Sequence, residues 1–137
     1  MPRRKSVKTL FKESESKTSH FDPYTINDSD DTILMNVIPG DTGQSSVSDV
    51  FLENEKIING AEGIIEDFPL GTNKELRGKF LEVYTAVTDI PGDPDETSFR
   101  FQLTGGVKPY EYFTKKTVQA QGDSVVYKIT IFFTIHQ

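Results

Sequence analysis

Along the C-terminal stretch SVVYKITIFFTIHQ, residues 124–137, apolar side chains recur at every second position. Val125, Tyr127, Ile129, Ile131, Phe133 and Ile135 share one face, while Val126, Lys128, Thr130, Phe132, Thr134 and His136 share the other. Only an extended backbone sends alternate side chains to opposite sides, so the pattern predicts a long strand with one core face and one mixed face. The stretch SFRFQLT repeats it, with Phe99, Phe101 and Leu103 inward and Ser98, Arg100, Gln102 and Thr104 outward. KFLEVYTAVTDI, residues 79–90, differs in being apolar on both sides: Leu81, Val83 and Val87 oppose Phe80, Tyr84 and Ala86. That is the mark of a central strand covered on both faces.

Shorter β-like runs lie at 32–38, 47–53, 63–68, 109–114 and 117–121. Polar or glycine-rich breaks separate them, among them PGDTGQSS, NGAEG, PGDPDE, TGG and GDS. TNKE at 72–75 has the form of a capping box, Thr72 accepting from the Glu75 amide, and opens at most one helical turn before Gly78. There is no internal repeat and no long amphipathic helix. About eight short strands at this spacing predict an all-β fold, a two-layer antiparallel β-sandwich, with a barrel as the alternative.

The first twenty residues follow another rule. MPRRKSVKTLFKESESKTSH has six Lys/Arg against two Glu, a net of +4, and only Val7, Leu10 and Phe11 as large apolar groups. Such a segment cannot bury enough area to offset its ordering entropy, which predicts a basic, flexible arm over 1–20 and a sandwich domain over 21–137. A short helix is open to TLFKESESK if Leu10 and Phe11 find a surface. The rest of the chain carries nine basic and nineteen acidic residues, a net of −10, so the overall −6 conceals a basic arm on an acidic body.

Length and composition narrow the function. At 137 residues the chain makes one domain, and with no cysteine it has neither disulfide, thiolate metal site nor cysteine nucleophile. No signal-peptide core precedes the body, and ITIFFTI is far shorter than the roughly 20 residues that span a bilayer. A cytoplasmic protein is the default expectation, with membership of an exported assembly as the other option. Enzyme chemistry draws most often on histidine. His20 closes the arm and His136 is penultimate, so both read as solvated terminal residues and no catalytic residue is expected. Nucleophile elbow, phosphate loop and paired-histidine motifs are absent. GAEG at 60–63 separates two β-like runs instead of joining helices, and nucleic acid would be repelled by the acidic body, so no specific nucleic-acid partner is expected.

Two candidate sites remain. Calcium takes six to eight oxygens, and the loop holding Asp89, Asp93, Asp95 and Glu96 offers the densest carboxylates, with Asp28, Asp30 and Asp31 as a second group. Pro91, Pro94 and Gly92 in the same loop equally suit a solvated turn. No cofactor is otherwise expected. The second candidate is a protein-contact surface, for a partner or for self-association. It would combine Arg3, Arg4, Lys5 and Lys8, which steer, with the apolar anchor Leu10 and Phe11 and the aromatic side chains Tyr110, Tyr112, Phe113 and Phe132. The leading expectation is a non-enzymatic binding or assembly module. A calcium-dependent ligand-binding sandwich of the C2-like or adhesin-like kind is the alternative.

Overall fold

Nine strands and two short helices account for residues 6–14, 16–40, 44–88, 96–117 and 124–135, the parts of the chain that the computed structural model describes. In chain order they are α1 (Val7–Glu13), β1 (Lys17–Ile26), β2 (Thr32–Pro39), β3 (Ser45–Leu52), β4 (Glu55–Glu62), β5 (Ile65–Thr72), α2 (Asn73–Leu76), β6 (Phe80–Thr88), β7 (Glu96–Thr104), β8 (Tyr110–Thr117) and β9 (Ser124–Ile135). Five strands form one sheet in the order β1-β9-β6-β3-β4, and four form the other in the order β5-β2-β7-β8. The two sheets pack into a β-sandwich.

The period-two faces meet as the alternation requires. Tyr127, Ile129, Ile131 and Phe133 of β9 and Leu81 and Val83 of β6 bury themselves against Ile33, Met35 and Val37 of β2 and Phe99, Phe101 and Leu103 of β7. Inside this core the Tyr127 hydroxyl is bonded to Thr97 Oγ1 at 2.6 Å, and its ring stacks on Phe99. The capping box forms as its spacing demands: Thr72 Oγ1 accepts from the Glu75 amide while Glu75 Oε1 accepts from the Thr72 amide, and α2 ends after one turn.

Two strands lie outside the runs picked from periodicity. β1 carries His20, Asp22, Tyr24 and Ile26 on its inner side, so its inward face is polar at one end. β4 has Ile57 and Ile58 adjacent, and register shifts against β3 between Ser48 and Val50 and between Val50 and Phe51 break the alternation there. β1 also pairs with β9 in parallel, from Lys17 beside Val126 to Ile26 beside Ile135, whereas every other pair is antiparallel. Of the run at 117–121 only Thr117 is described, as the end of β8.

The segment read as a basic arm divides in two. β1 starts at Lys17, so residues 17–20 belong to the sheet. Before it, Ser6 caps α1 by accepting from the Thr9 amide, and the Ser14 amide closes its last turn on Leu10 O. Seven residues are too few for a helix to persist alone, since isolated helices shorter than about 12 residues are marginal. Packing holds it. Val7 is buried among Tyr84, Ala86 and Val126 on the outer face of the five-stranded sheet, with Leu10, Phe11, Val47 and Phe51 around it. This explains why β6 is apolar on both faces.

A buried carboxylate fixes the helix end. Asp49, 1% exposed, accepts from the Val7 amide at 2.9 Å through Oδ2 and from the Gly60 amide at 2.7 Å through Oδ1, with Lys56 Nζ 3.7 Å away. A negative group at the first helical turn also opposes the positive end of the helix dipole. Asp49→Ala would leave both amides unpaired, at about 1–3 kcal/mol per buried group. Amides of α1 should then exchange hydrogen at least tenfold faster, while those of β2 and β7 keep their protection. Unchanged protection of α1 would show that Asp49 does not hold it.

Candidate interaction surface

The described residues cover only half of the outer face of the five-stranded sheet. The odd-numbered residues of β1 point outward, because Tyr24 and Ile26 turn into the core. Phe21 is thereby held in solvent at 57% exposure. Phe80, the first residue of β6, pairs across the strands with Phe132 of β9, and Pro23 of β1 lies beside Phe132 on the other side. The three rings form a row: Phe80 and Phe132 centroids are 4.8 Å apart, Phe21 and Phe80 6.3 Å. Phe80 is 43% exposed and Phe132 partly buried between its neighbours. Contacts with α1 involve β6, β9 and β3, so the helix lies over the neighbouring half of the face and leaves this half bare. Two shallow hollows flank the row. One, about 180 Å³, is lined by Glu53, Asn54, Phe80, Glu82 and Thr130, and the other, about 170 Å³, by Arg77, Gly78, Phe132, Phe133, Thr134 and Ile135.

On the covered half, lysines sit over the rings that α1 and the sheet share. Lys8 lies 5.0 Å from the Phe51 ring centroid, Lys17 5.0 Å from Phe11, and Lys128 5.3 Å from Tyr84. Lys128 also pairs with Glu82 at 3.5 Å. Lys8, Lys12 and Lys17 form no ion pair among the described residues.

The inner side of β1 meets β8 and closes one flank of the sandwich. His20 Nε2 bonds to Asp22 Oδ2 at 2.7 Å, the Tyr110 hydroxyl donates to the same oxygen, and the His20 ring stacks on Tyr112 at 4.0 Å. Next to this cluster is a cleft of about 380 Å³ between Pro23, Tyr24, Thr25, Val107, Lys108, Pro109 and Tyr110. Its polar tips are already engaged: Tyr24 OH accepts from the Gly106 amide, and Tyr110 OH is held by Asp22. The cleft sits at the small end of ligand pockets, roughly 300–1,000 Å³.

The aromatic set singled out from sequence is therefore spread over three places. Tyr110 and Tyr112 line the β1–β8 flank, Phe132 belongs to the bare phenylalanine row, and Phe113 lies on the outside of the four-stranded sheet under Arg100, 4.6 Å from its ring. Leu10 and Phe11 pack on the chain's own sheet, and Lys8 is drawn over Phe51. Arg3, Arg4 and Lys5 lie outside the described residues. So do Asp89, Asp93, Asp95 and His136. Glu96 opens β7 and pairs with Lys115 at 3.4 Å, while Asp30 stands 3.9 Å from Lys74. Among the described residues no three acidic or histidine side chains gather as metal ligands.

His20 is not the solvated terminal residue that its place in the chain implied, because β1 carries it into the flank. Phe21 and Phe80 were missed as surface. The available signal was Phe21 on the outward face of a strand whose His20, Asp22, Tyr24 and Ile26 alternate with it. No family model matches this chain, and comparison with curated proteins and with solved structures gives no match either.

The flank makes a pH prediction. Burial alone would raise the Asp22 carboxyl, but the bonds from Tyr110 and His20 and the His20 charge outweigh it and hold it below the ordinary value. Burial, then the Asp22 bond and charge, push the Tyr110 phenol well above its own, and burial takes Tyr84 to about 12. A depressed carboxyl gives stability that is present above its unfolded pKa of about 3.9 and lost as pH falls below it. A raised phenol gives stability that is present below about 10 and lost as pH climbs past that value. Asp22→Asn should therefore flatten the acid limb of a stability–pH curve, and Tyr110→Phe the alkaline limb. Limbs as steep as in the unmodified protein would show that this cluster is not coupled to folding.

Proposed function

We propose that this protein is a non-enzymatic binding and assembly module that works through protein contacts, and that its contact surface is the row Phe21, Phe80 and Phe132. The observation that carries the reading is the row itself. Exposed apolar groups scattered singly are ordinary, but rings in mutual contact on one face, with more apolar surface covered beside them, are what a partner surface offers. Aromatic side chains supply most of the energy in protein interfaces, because each buries a large area at little cost in rotamer entropy. The flanking hollows give relief for a partner's side chains, and Glu82 and Arg77 supply a polar rim of both signs.

The other clusters support a structural role. His20, Asp22 and Tyr110 satisfy one another between two strands, and Asp49 is consumed in holding α1. Neither presents a nucleophile beside a free base.

The double variant Phe21→Ser/Phe80→Ser separates contact from folding. Both side chains are substantially exposed, so the melting temperature should move little, as surface changes usually stay within about 0.5 kcal/mol. Immobilised protein should lose at least tenfold in retention of its protein partners from an extract of its own cells. Equal retention by the variant and the unmodified protein would remove the row from any binding role.

A further inference from the structure

A strand at the edge of a sheet offers unpaired N–H and C=O groups to any other chain, unless a proline, a bulge or a bend blunts it. Among the described strands, three of the four edges are blunted in this way. β1 has Pro23 in its length. β4 is broken by its register shifts against β3 and by Gly60 at φ +65. β5 contains Pro69, holds Asp67 at φ +48 and slips twice against β2. β8 has none of these devices. Its eight residues, YEYFTKKT, include neither proline nor glycine and pair with β7 without a shift, from Thr117 beside Glu96 to Tyr110 beside Leu103. β1 reaches it through side chains, His20 on Tyr112 and Asp22 on Tyr110, and no described strand pairs with its outer edge. A strand paired on one side leaves the backbone groups of every second residue unpaired on the other.

The side chains of β8 select what pairs there. Glu111, Phe113 and Lys115 alternate on the outside of the four-stranded sheet, and Phe113 is 43% exposed. Residues directly opposite across an antiparallel pair share a face, where opposite charges attract and like charges repel. With Phe113 set against Phe113 of a second copy, Lys115 of each strand faces Glu111 of the other. On the inner side Tyr112 then faces Thr114, and Tyr110 faces Lys116. No like charges oppose in this register. Moving its centre to Glu111 or to Lys115 puts two carboxylates or two ammonium groups face to face, and moving it to Tyr112 or Thr114 loses both ion pairs. Within the chain Glu111 is held by Arg100 and Gln102, and Lys115 by Glu96. All three of these partners belong to β7, on the side away from the free edge. A carboxylate accepts about four hydrogen bonds and an ammonium group donates about three, so both keep capacity toward a second strand.

We propose that β8 is a dimer edge: it pairs antiparallel with β8 of a second copy of this chain about a twofold axis at Phe113, joining two four-stranded sheets into one. The contact is isologous, so it closes at two copies. It lies on the other sheet from the phenylalanine row and stands independently of that row's role. One strand against one strand is a small interface with exposed ion pairs, so the dimer forms at high protein concentration and weakens with salt.

The test uses the full chain and two charge reversals. Lys115→Glu leaves carboxylates at both outward positions of β8, and Glu111→Lys leaves ammonium groups at both, so each variant repels itself and attracts the other. Both positions are exposed, and the melting temperature of each variant should stay within about 3 °C of the unmodified protein. In sedimentation velocity at low salt the unmodified protein should pass from monomer to dimer as concentration rises. Each variant alone should dimerise at least tenfold more weakly, and an equimolar mixture of the two should recover a 1:1 dimer. In the unmodified dimer, every second amide of β8 should exchange hydrogen more slowly than in the monomer. An unmodified protein that stays monomeric at every concentration, or that grows past the dimer, would overturn the proposal. Variants that dimerise as well alone as together, or a mixture that fails to combine, would overturn it equally.

Discussion

Everything on the outer side of this molecule follows from one shortage: the five-stranded sheet is apolar on two faces, and among the described residues a single seven-residue helix covers the second. A helix of that length is about 10 Å long, at 1.5 Å per residue, against a sheet about 19 Å across. It therefore shields Tyr84, Ala86 and Val126 and leaves Phe21 and Phe80 in water, with Phe132 half-buried between its neighbours. The position of the helix is not free either, because Asp49 holds its first amide and the short link through Ser14 and Ser16 ties its end to β1.

β1 links the covered and uncovered halves. Its inward residues lock against β8 through Asp22 and Tyr110, and that lock dictates that Phe21 faces out. At its far end the chain crosses to the other sheet under Asn73, fully buried, whose side chain accepts from the Asn27 amide and donates to Asp31 O and Gly105 O. Gly105 can only be glycine, since a Cβ there would lie 2.2 Å from Thr32 O. Exposure of the phenylalanine row is thus built into the same contacts that seal the core, and a substitution that hid Phe21 by reversing β1 would drive His20 and Asp22 outward and Phe21 inward.

The sandwich was legible in sequence where burial is simple. β9, β7 and β6 each alternate cleanly or carry apolar residues on both sides, and each lies where its pattern placed it. Thr72 and Glu75 announced α2 for the same reason, a local bond whose spacing is fixed. β1 and β4 escaped because their inward residues answer to particular neighbours: His20 and Asp22 to tyrosines about ninety residues away, and Ile57 and Ile58 to a bulged pairing. The proposed contact surface was legible only in Phe132. Nothing local reveals that Phe21 and Phe80, about sixty residues apart, adjoin it, and Leu10 and Phe11 read as a loose anchor because the sheet that takes them up is assembled from distant strands.

The central claim is that the row is open in the isolated molecule and is the surface on which a protein partner docks. Paramagnetic relaxation of aromatic ring protons by an inert soluble probe measures this directly. In dilute protein the rings of Phe21 and Phe80 should relax strongly while those of Phe51 and Tyr84, beneath α1, are shielded. On adding a partner recovered by retention on the immobilised protein, the Phe21 and Phe80 rings should become shielded while Phe113, on the opposite sheet, is unchanged. Rings of Phe21 and Phe80 that are shielded at every dilution would mean that the chain covers its own sheet, and rings still open with the partner bound would mean that the row is not the contact.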